Sequence, residues 1–166
     1  GHTQYEELVK VPLMIRFPDT KHAGTRIETP VRLMDLMPTV HDWLEVTPPS
    51  TFRGESFLGQ IQGTGGGYSG PLYYEACLYG GEKKALCMKN LKLILDVDTD
   101  KTQLFDLQAD PKEKNDLSAE RAEETAKLKD ALLKMSDDLQ KKADQDKQAL
   151  DLSKEVMKDL HGLGYM

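Results

Sequence analysis

Apolar positions in the N-terminal part of the chain change from a strand period to a helix period. Residues 11–17, with the sequence VPLMIRF, form a short apolar and β-branched run that a Pro-Asp pair closes, which predicts a strand. Further along, Leu36, Val40 and Leu44 share one helical face, and Asp35 stands at the N-cap position before them. The pattern therefore predicts a strand followed by a helix of about ten residues.

The middle of the chain alternates between loops and short apolar runs. Residues 47–71 are rich in Pro, Gly and Ser, with one short turn at SFLGQIQG that buries Phe57 and Leu58. The glycines at 65–67 lack the spacing of a phosphate-binding loop and predict a flexible connection. Strand candidates follow at residues 71–79, 84–92, 91–97 and 102–107. Because only short turns separate them, they predict about four antiparallel strands joined as hairpins.

The last third of the chain has the pattern of a charged helical arm. Ser118 fits an N-cap, and acidic residues follow it in the first turns, as the helix dipole favours. A narrow apolar stripe recurs at steps of four, three and four residues, through Leu128, Leu132, Met135 and Leu139. Two interpretations stay open: the stripe packs along its own domain, or it pairs with a helix of another chain. A second helix is predicted over residues 150–161.

Composition narrows the class of protein. The chain has 166 residues, of which 39% are hydrophobic, and a net charge of -6, which together predict a folded domain with an acidic surface. Lys and Arg are outnumbered by acids and interleaved with them, which argues against a nucleic-acid-binding face. No apolar run approaches the roughly 20 residues of a bilayer span, and the N-terminus lacks the pattern of an export signal. We therefore expect no nucleic-acid partner and no membrane span.

The sequence contains no local motif that is typical of a catalytic or metal site. Cys77 and Cys87 lie in strand-like stretches without the spacing of a zinc or redox pair, so they predict small core residues. None of the four histidines lies in a catalytic motif. DVDTDK at residues 96–101 begins like a calcium loop, but Lys101 stands where the loop needs glycine and Leu107 where it needs glutamate. It predicts a hairpin turn, and the residues alone predict no catalytic and no metal site.

Six segments of the chain, taken in order, carry a family resemblance. They are YEELVKVPLMIRFP, TPVRLMDLMPTVHDWLEV, RGESFLGQI, LKLI, LFDLQADPKEKNDL and the terminal LGYM. This ordered set resembles the C-terminal portion of a sulfatase of the alkaline phosphatase superfamily. In that family the segment equivalent to residues 1–17 follows the last metal-binding pair, which is Asp-His or Asp-Asn. The resemblance therefore implies a fragment of a larger α/β sulfatase fold that begins downstream of the catalytic half.

The resemblance also implies a reaction whose main groups lie elsewhere in the protein. Such sulfatases hydrolyse sulfuric esters with calcium and a formylglycine made from a C/S-x-P/A-x-R motif, which neither EACLYGG nor ALCMKN matches. The implied partners are the N-terminal catalytic portion of the same protein and a sulfated small molecule or glycan. The parent enzyme would be exported to the periplasm, the extracellular space or the lysosome. By itself this chain would form part of the cleft wall and would not turn over substrate.

One residue of this chain is a candidate for the parent active site. Many family members place a Lys or a His that contacts the sulfate just before an aromatic-acid pair, which here is Tyr5-Glu6. His2 is the candidate for substrate binding, because an imidazole can donate a hydrogen bond to an anionic oxygen. It stands three residues ahead of Tyr5, whereas the commoner Lys stands four ahead, where this chain has Gly1.

Together these patterns predict an α+β architecture: a small antiparallel sheet of about four strands, packed helices and a long charged C-terminal helical arm. We expect residues 1–50 to belong to the end of the main α/β domain, residues 51–117 to form the sheet subdomain and residues 118–166 to form the helices. The implied function is that of the C-terminal segment of a sulfuric ester hydrolase. Two alternatives stay open: a phosphodiesterase or phosphonate hydrolase of the same superfamily, and a non-catalytic helical interaction module.

Overall fold

A four-stranded antiparallel sheet is the centre of the fold in the computed structural model, which describes residues 3–75 and 81–149. The strands follow one another across the sheet in chain order as β1 (Leu72–Tyr74), β2 (Lys83–Met88), β3 (Leu91–Asp96) and β4 (Lys101–Asp106). Tight turns join β2 to β3 and β3 to β4. The predicted sheet is confirmed, and DVDTDK forms the second of these turns.

Four α-helices accompany the sheet within the described residues. They are α1 (Glu6–Val9), α2 (Leu36–Trp43), α3 (Leu58–Gln62) and α4 (Ala122–Ala149). Helices α2 and α3 confirm the helix and the short turn that the sequence predicts, and Phe57 and Leu58 are buried as expected. No helix in the described part of the chain is long and apolar enough to cross a bilayer. The helix predicted over residues 150–161 lies outside the described residues.

Side-chain alternation along the strands gives the sheet two different faces. On one face, leucines of β2, β3 and β4 pack against two buried leucines of α4. These are Leu86, Leu93, Leu95, Leu104, Leu128 and Leu132. Met135 also packs on this cluster, whereas Leu139 at the end of the stripe is 38% exposed. The stripe of α4 thus packs on its own domain, and Ala85, Ile94 and Phe105 occupy the opposite face of the sheet.

Helix α4 starts at Ala122, four residues after the predicted cap at Ser118. Asp116 explains the difference, because its Oδ1 accepts hydrogen bonds from the amides of Leu104 and Ser118 at 3.0 and 2.9 Å. The Leu117 amide adds a bond to the Leu104 carbonyl oxygen at 2.8 Å. These bonds hold the chain against β4 before the helix can begin.

Residues 11–17, which the sequence predicts as a strand of the larger α/β domain, form no strand within the described structure. These residues are extended but pair with no described strand. Val11 is 54% exposed and Met14 is 91% exposed. A strand needs a neighbour for its backbone hydrogen bonds, and the described sheet offers none to this segment. The apolar residues of this run up to Ile15 are therefore left exposed, whereas Phe17 is half-buried.

Asp35 stands at the predicted N-cap position of α2, but its side chain does not cap the helix. It ends a 3-10 turn, Leu33–Asp35, and is 1% exposed. Its carboxylate makes no capping bond to α2 and instead accepts bonds from the Arg32 guanidinium at 2.7 and 3.0 Å and from the Glu55 amide at 2.8 Å. Arg32 in turn stacks on Tyr68, with 3.4 Å between Cζ and the ring centroid. The carboxylate therefore ties α2 to the loop before α3.

Asp35→Asn is expected to lower the free energy of unfolding by about 1.5 to 3 kcal/mol at neutral pH, the usual worth of a hydrogen bond to a charged group. Burial acts to raise the pKa of Asp35, but the bonds from Arg32 and the backbone amides outweigh it and hold the pKa below its usual value. The stability that this carboxylate contributes is present above its unfolded pKa and is lost as pH falls through its folded pKa. Urea unfolding between pH 7 and about pH 3 measures this loss.

Asp130→Asn, at an exposed position of α4, is the matched control and should change stability by less than about 0.5 kcal/mol. A difference between wild type and Asp35→Asn that stays constant as the pH falls would contradict the role assigned to the Asp35 carboxylate.

Candidate functional site

His2, the one predicted site residue, lies outside the described residues. The residues that follow it are described, and residues 4–6, called here the anchored segment, lie on the sheet face opposite α4. One residue, Thr3, separates His2 from the anchored segment in the sequence. The candidate site is therefore built from the contacts that hold the anchored segment.

Gln4 and Tyr5 attach the anchored segment to β2 and β4. Gln4 is 4% exposed, and its Nε2 donates to the carbonyl oxygen of Lys83 at 3.4 Å. The Tyr5 hydroxyl donates to Gln103 Oε1 at 3.0 Å, and the Tyr5 ring meets the Phe105 ring edge to face at a centroid distance of 5.9 Å. Polar groups that leave water need such partners, so each bond favours this one position of the segment.

Lys92 attaches the next residue of the anchored segment to β3. Its side chain is 0% exposed, and Nζ lies 2.9 Å from Glu6 Oε1 and 2.9 Å from Glu113 Oε1. The Tyr74 ring centroid is 5.5 Å from the same nitrogen. A buried ammonium is costly unless opposite charges and hydrogen bonds compensate it, so the two carboxylates are required partners of Lys92.

Glu113 also binds the backbone of the anchored segment. Its side chain is 3% exposed, and its Oε2 accepts a hydrogen bond from the Glu6 amide at 2.5 Å. Its Oε1 makes the ion-pair contact with Lys92 without hydrogen-bond alignment. Glu6 is therefore held twice, by its carboxylate and by its amide. Lys92, Glu6 and Glu113 are called here the lysine cluster.

The turn after β4 directs Glu113 toward Lys92. Glu113 adopts a left-handed backbone with φ of 50°, which costs a residue with a side chain about 1 kcal/mol or more. Asp110 supports this turn, because its Oδ2 accepts hydrogen bonds from the amides of Lys114 and Asn115, both at 2.7 Å. The Asp110 carbonyl accepts a further bond from the Glu113 amide at 3.1 Å. DPKEKND is therefore a folded turn that presents one glutamate to a buried lysine.

The lysine cluster joins three segments that carry the family resemblance. Glu6 comes from YEELV, Lys92 from LKLI and Glu113 from DPKEKND. Local sequence patterns could not predict this meeting, because Glu6 is 86 residues from Lys92 and 107 from Glu113. One signal is present in the sequence: Lys92 interrupts an apolar strand, and a lysine is almost never fully buried without a partner.

Cys87 is a free thiol of the sheet, whereas Cys77 lies outside the described residues. Cys87 is 8% exposed, and its Sγ donates to the carbonyl oxygen of Lys89 at 3.6 Å. Burial and then the nearby Glu6 carboxylate raise the pKa of the Cys87 thiol to about 11, so the thiol stays protonated near neutral pH. Cys87 is thus the small core residue that the sequence predicts.

Calcium ligands are not assembled in the described part of the chain. No three His, Cys, Asp or Glu side chains there could hold a metal ion. Two of the three aspartates of the DVDTDK turn have other partners: Asp96 binds Lys83 and Thr99, and Asp100 binds Lys129 at 2.7 Å. Cys87 lies outside the C/S-x-P/A-x-R motif, so the described residues fit neither the calcium ion nor the formylglycine that the resemblance implies.

An open groove beside α2 is lined in part by His41, Asp42 and Ser56. Ser56 Oγ donates directly to Asp42 Oδ2 at 2.6 Å and accepts from the Leu58 amide at 3.2 Å. The His41 ring lies edge to face against Phe52, with centroids 5.2 Å apart. Because the hydroxyl proton goes to a carboxylate and not to an imidazole, this serine anchors α2 to α3 and is not an activated nucleophile.

Known proteins resemble this chain in sequence. A family model described as N-sulphoglucosamine sulphohydrolase, C-terminal, matches residues 2–143. An N-acetylglucosamine-6-O-sulfatase of Bacteroides thetaiotaomicron is 28% identical over 146 residues, which cover 82% of this chain and 26% of that protein. The uncharacterized sulfatase YidJ of Escherichia coli K12 is 29% identical over 142 residues, which cover 82% of this chain and 28% of that protein. The chain therefore spans about a quarter of the length of the curated relatives it matches.

Solved structures resemble this chain in fold. The structure of BT4656 in complex with its substrate D-glucosamine-2-N,6-O-disulfate matches 62% of this chain and 23% of that chain, with 25% identity and a TM-score of 0.53. The structure of BT1596, a 2-O GAG sulfatase, matches 72% of this chain and 26% of that chain, with 18% identity and a TM-score of 0.54. The second likeness shows the fold alone.

Proposed function

This chain belongs to the family of sulfatase C-terminal domains that the N-sulphoglucosamine sulphohydrolase model describes, and we propose that the complete protein hydrolyses a sulfate ester on a glucosamine-type sugar. The match over residues 2–143 is the observation that carries the sulfatase activity, and similarity to a 6-O-sulfatase favours an O-linked ester over the N-linked sulfate that the family model names. The curated relatives are sulfatases, which favours a sulfate ester over the phosphodiester and phosphonate alternatives. The family model, one relative and one solved complex all name a glucosamine-type sugar, which favours that substrate class.

We propose that the groups that perform the chemistry lie in an N-terminal catalytic portion of the same protein. The family resemblance implies a formylglycine nucleophile there and a calcium ion that acts as Lewis acid. The described residues of this chain fit neither group, so no catalytic step is assigned to them. Their proposed role is to support the catalytic portion and to form part of the wall of the substrate cleft.

The uncovered apolar run supports the presence of that catalytic portion. Leu13, Met14 and Ile15 are consecutive and are exposed by 39, 91 and 42%. A continuous apolar run is typical of a strand that is buried on both faces, whereas a strand with one wet face alternates. We propose that residues 11–17 pair with a strand of the catalytic portion, which would supply the backbone hydrogen bonds that they lack here.

Met14→Glu tests this pairing, because its effect on stability should differ between the present chain alone and the complete protein. In the present chain alone it should change the free energy of unfolding by less than about 0.5 kcal/mol, because Met14 is exposed. In the complete protein it should cost about 2 kcal/mol or more, because a carboxylate would be buried without a partner. Urea unfolding of both forms measures the two effects. Equal and small effects in both would argue against the pairing.

His2 is proposed to bind the sulfate group of the substrate. The support is its position ahead of the Tyr5-Glu6 pair and the fixed position of the anchored segment behind it. A histidine that donates a hydrogen bond to an anionic ester oxygen can stabilise the charge that develops there in the transition state.

His2→Ala in the complete protein should lower kcat/KM for sulfate release from a 6-O-sulfated glucosamine by about 10²-fold or more, the usual effect of losing one donor to a developing oxyanion. The free energy of unfolding should change by less than about 0.5 kcal/mol. Steady-state kinetics and urea unfolding of the same preparations measure the two quantities.

His22→Asn is the matched control, because His22 is exposed and asparagine tolerates its left-handed backbone with φ of 60°. It should leave kcat/KM unchanged. A complete protein that releases no sulfate from sulfated glucosamine would overturn the proposed activity. Normal kinetics of His2→Ala would overturn only the role of His2.

A further inference from the structure

We propose that Lys92 is a positioning residue for the sulfatase reaction: it fixes the anchored segment, and through that segment His2, without touching the substrate. The inference rests on the proposed function, since it takes His2 as a contact of the sulfate group.

Three consecutive residues of the anchored segment bind three different strands. Gln4 binds the backbone of β2, Tyr5 binds a side chain of β4, and Glu6 binds Lys92 of β3. The last of these contacts joins two charged groups, and the backbone of Glu6 is also bound by Glu113 from the turn after β4. The lysine cluster therefore holds Glu6 by both its side chain and its backbone.

Stability alone does not explain a lysine at this position. The other face of β3 already packs Leu93 and Leu95 into the core under α4. A buried ion pair or triad is often no more stabilising than apolar residues of similar volume. Ion pairs depend on the positions of their charged groups more strongly than apolar contacts do. An ammonium between two carboxylates therefore favours one arrangement of the three side chains. The lysine cluster thus holds Glu6 in one defined position.

Loss of the ammonium would move the anchored segment. Glu6 and Glu113 both lie 2.9 Å from Lys92 Nζ, so without it two carboxylates would face each other across a buried site. Glu6, at 20% side-chain exposure, is the partner that can turn toward water, whereas Glu113 at 3% is not. A displacement of about 1 Å at a substrate-positioning group can cost about 10²-fold in rate.

A double-mutant cycle in the complete protein tests the inference. Lys92→Met alone should lower kcat/KM for sulfate release from a 6-O-sulfated glucosamine by about 10- to 100-fold, measured per folded molecule. In the His2→Ala background the same substitution should add less than about twofold, because the group that it misplaces is already gone. A merely structural role would instead lower activity by the same factor in both backgrounds.

Lys129→Met is the matched control. Lys129 also forms an ion pair, with Asp100 at 2.7 Å, but it belongs to α4 on the other face of the sheet. Its removal should leave kcat/KM per folded molecule unchanged. If Lys92→Met does not fold, Glu6→Gln replaces it in the cycle. This variant weakens one ion pair while keeping the size of the side chain, and it should show a smaller loss with the same non-additivity.

Two results would overturn the inference. If His2→Ala lowers kcat/KM and Lys92→Met lowers it by the same factor in both backgrounds, the positioning role of Lys92 is wrong, but the proposed function stays in place. An unimpaired His2→Ala would overturn the assignment of His2 and the inference together.

Discussion

A fully buried ammonium in the sheet is the interaction on which the arrangement of the N-terminal segment depends. Lys92 has no exposed surface, and its charge is tolerated there only because Glu6 and Glu113 lie within ion-pair distance. Glu6 belongs to a segment far away in the chain, and Glu113 to the turn after β4. Burial of the lysine and docking of the anchored segment are therefore a single event, because neither is favourable without the other.

The two faces of the sheet have different structural roles. The face under α4 is an apolar core of leucines, which stabilises the domain through burial and close packing. The opposite face combines the Tyr5–Phe105 ring contact with the lysine cluster, which restricts the position of a segment instead of adding apolar surface. In the proposed enzyme, the first face provides a rigid support and the second holds the chain that leads to the substrate.

Local patterns predicted the sheet and the packing face of α4, because strand runs, turns and a helical stripe are encoded by neighbouring residues. They failed where a distant partner decides the outcome. Residues 11–17 have strand character but no strand to pair with, and Asp116 displaced Ser118 as the group that organises the start of α4. The lysine cluster could not be predicted, since no local period links YEELV to LKLI and DPKEKND. His2 stays a prediction.

Amide hydrogen exchange at Glu6 measures how firmly the lysine cluster holds the anchored segment, because this N–H is bonded to Glu113 and can exchange only when the segment leaves the sheet. We expect this amide to be protected in the wild type. In Lys92→Met it should exchange at least about tenfold faster, while the amides of Leu93 and Leu95 in β3 keep their wild-type rates. Rapid exchange at Glu6 in the wild type, or an unchanged rate in the variant, would show that Lys92 does not hold the anchored segment on the sheet.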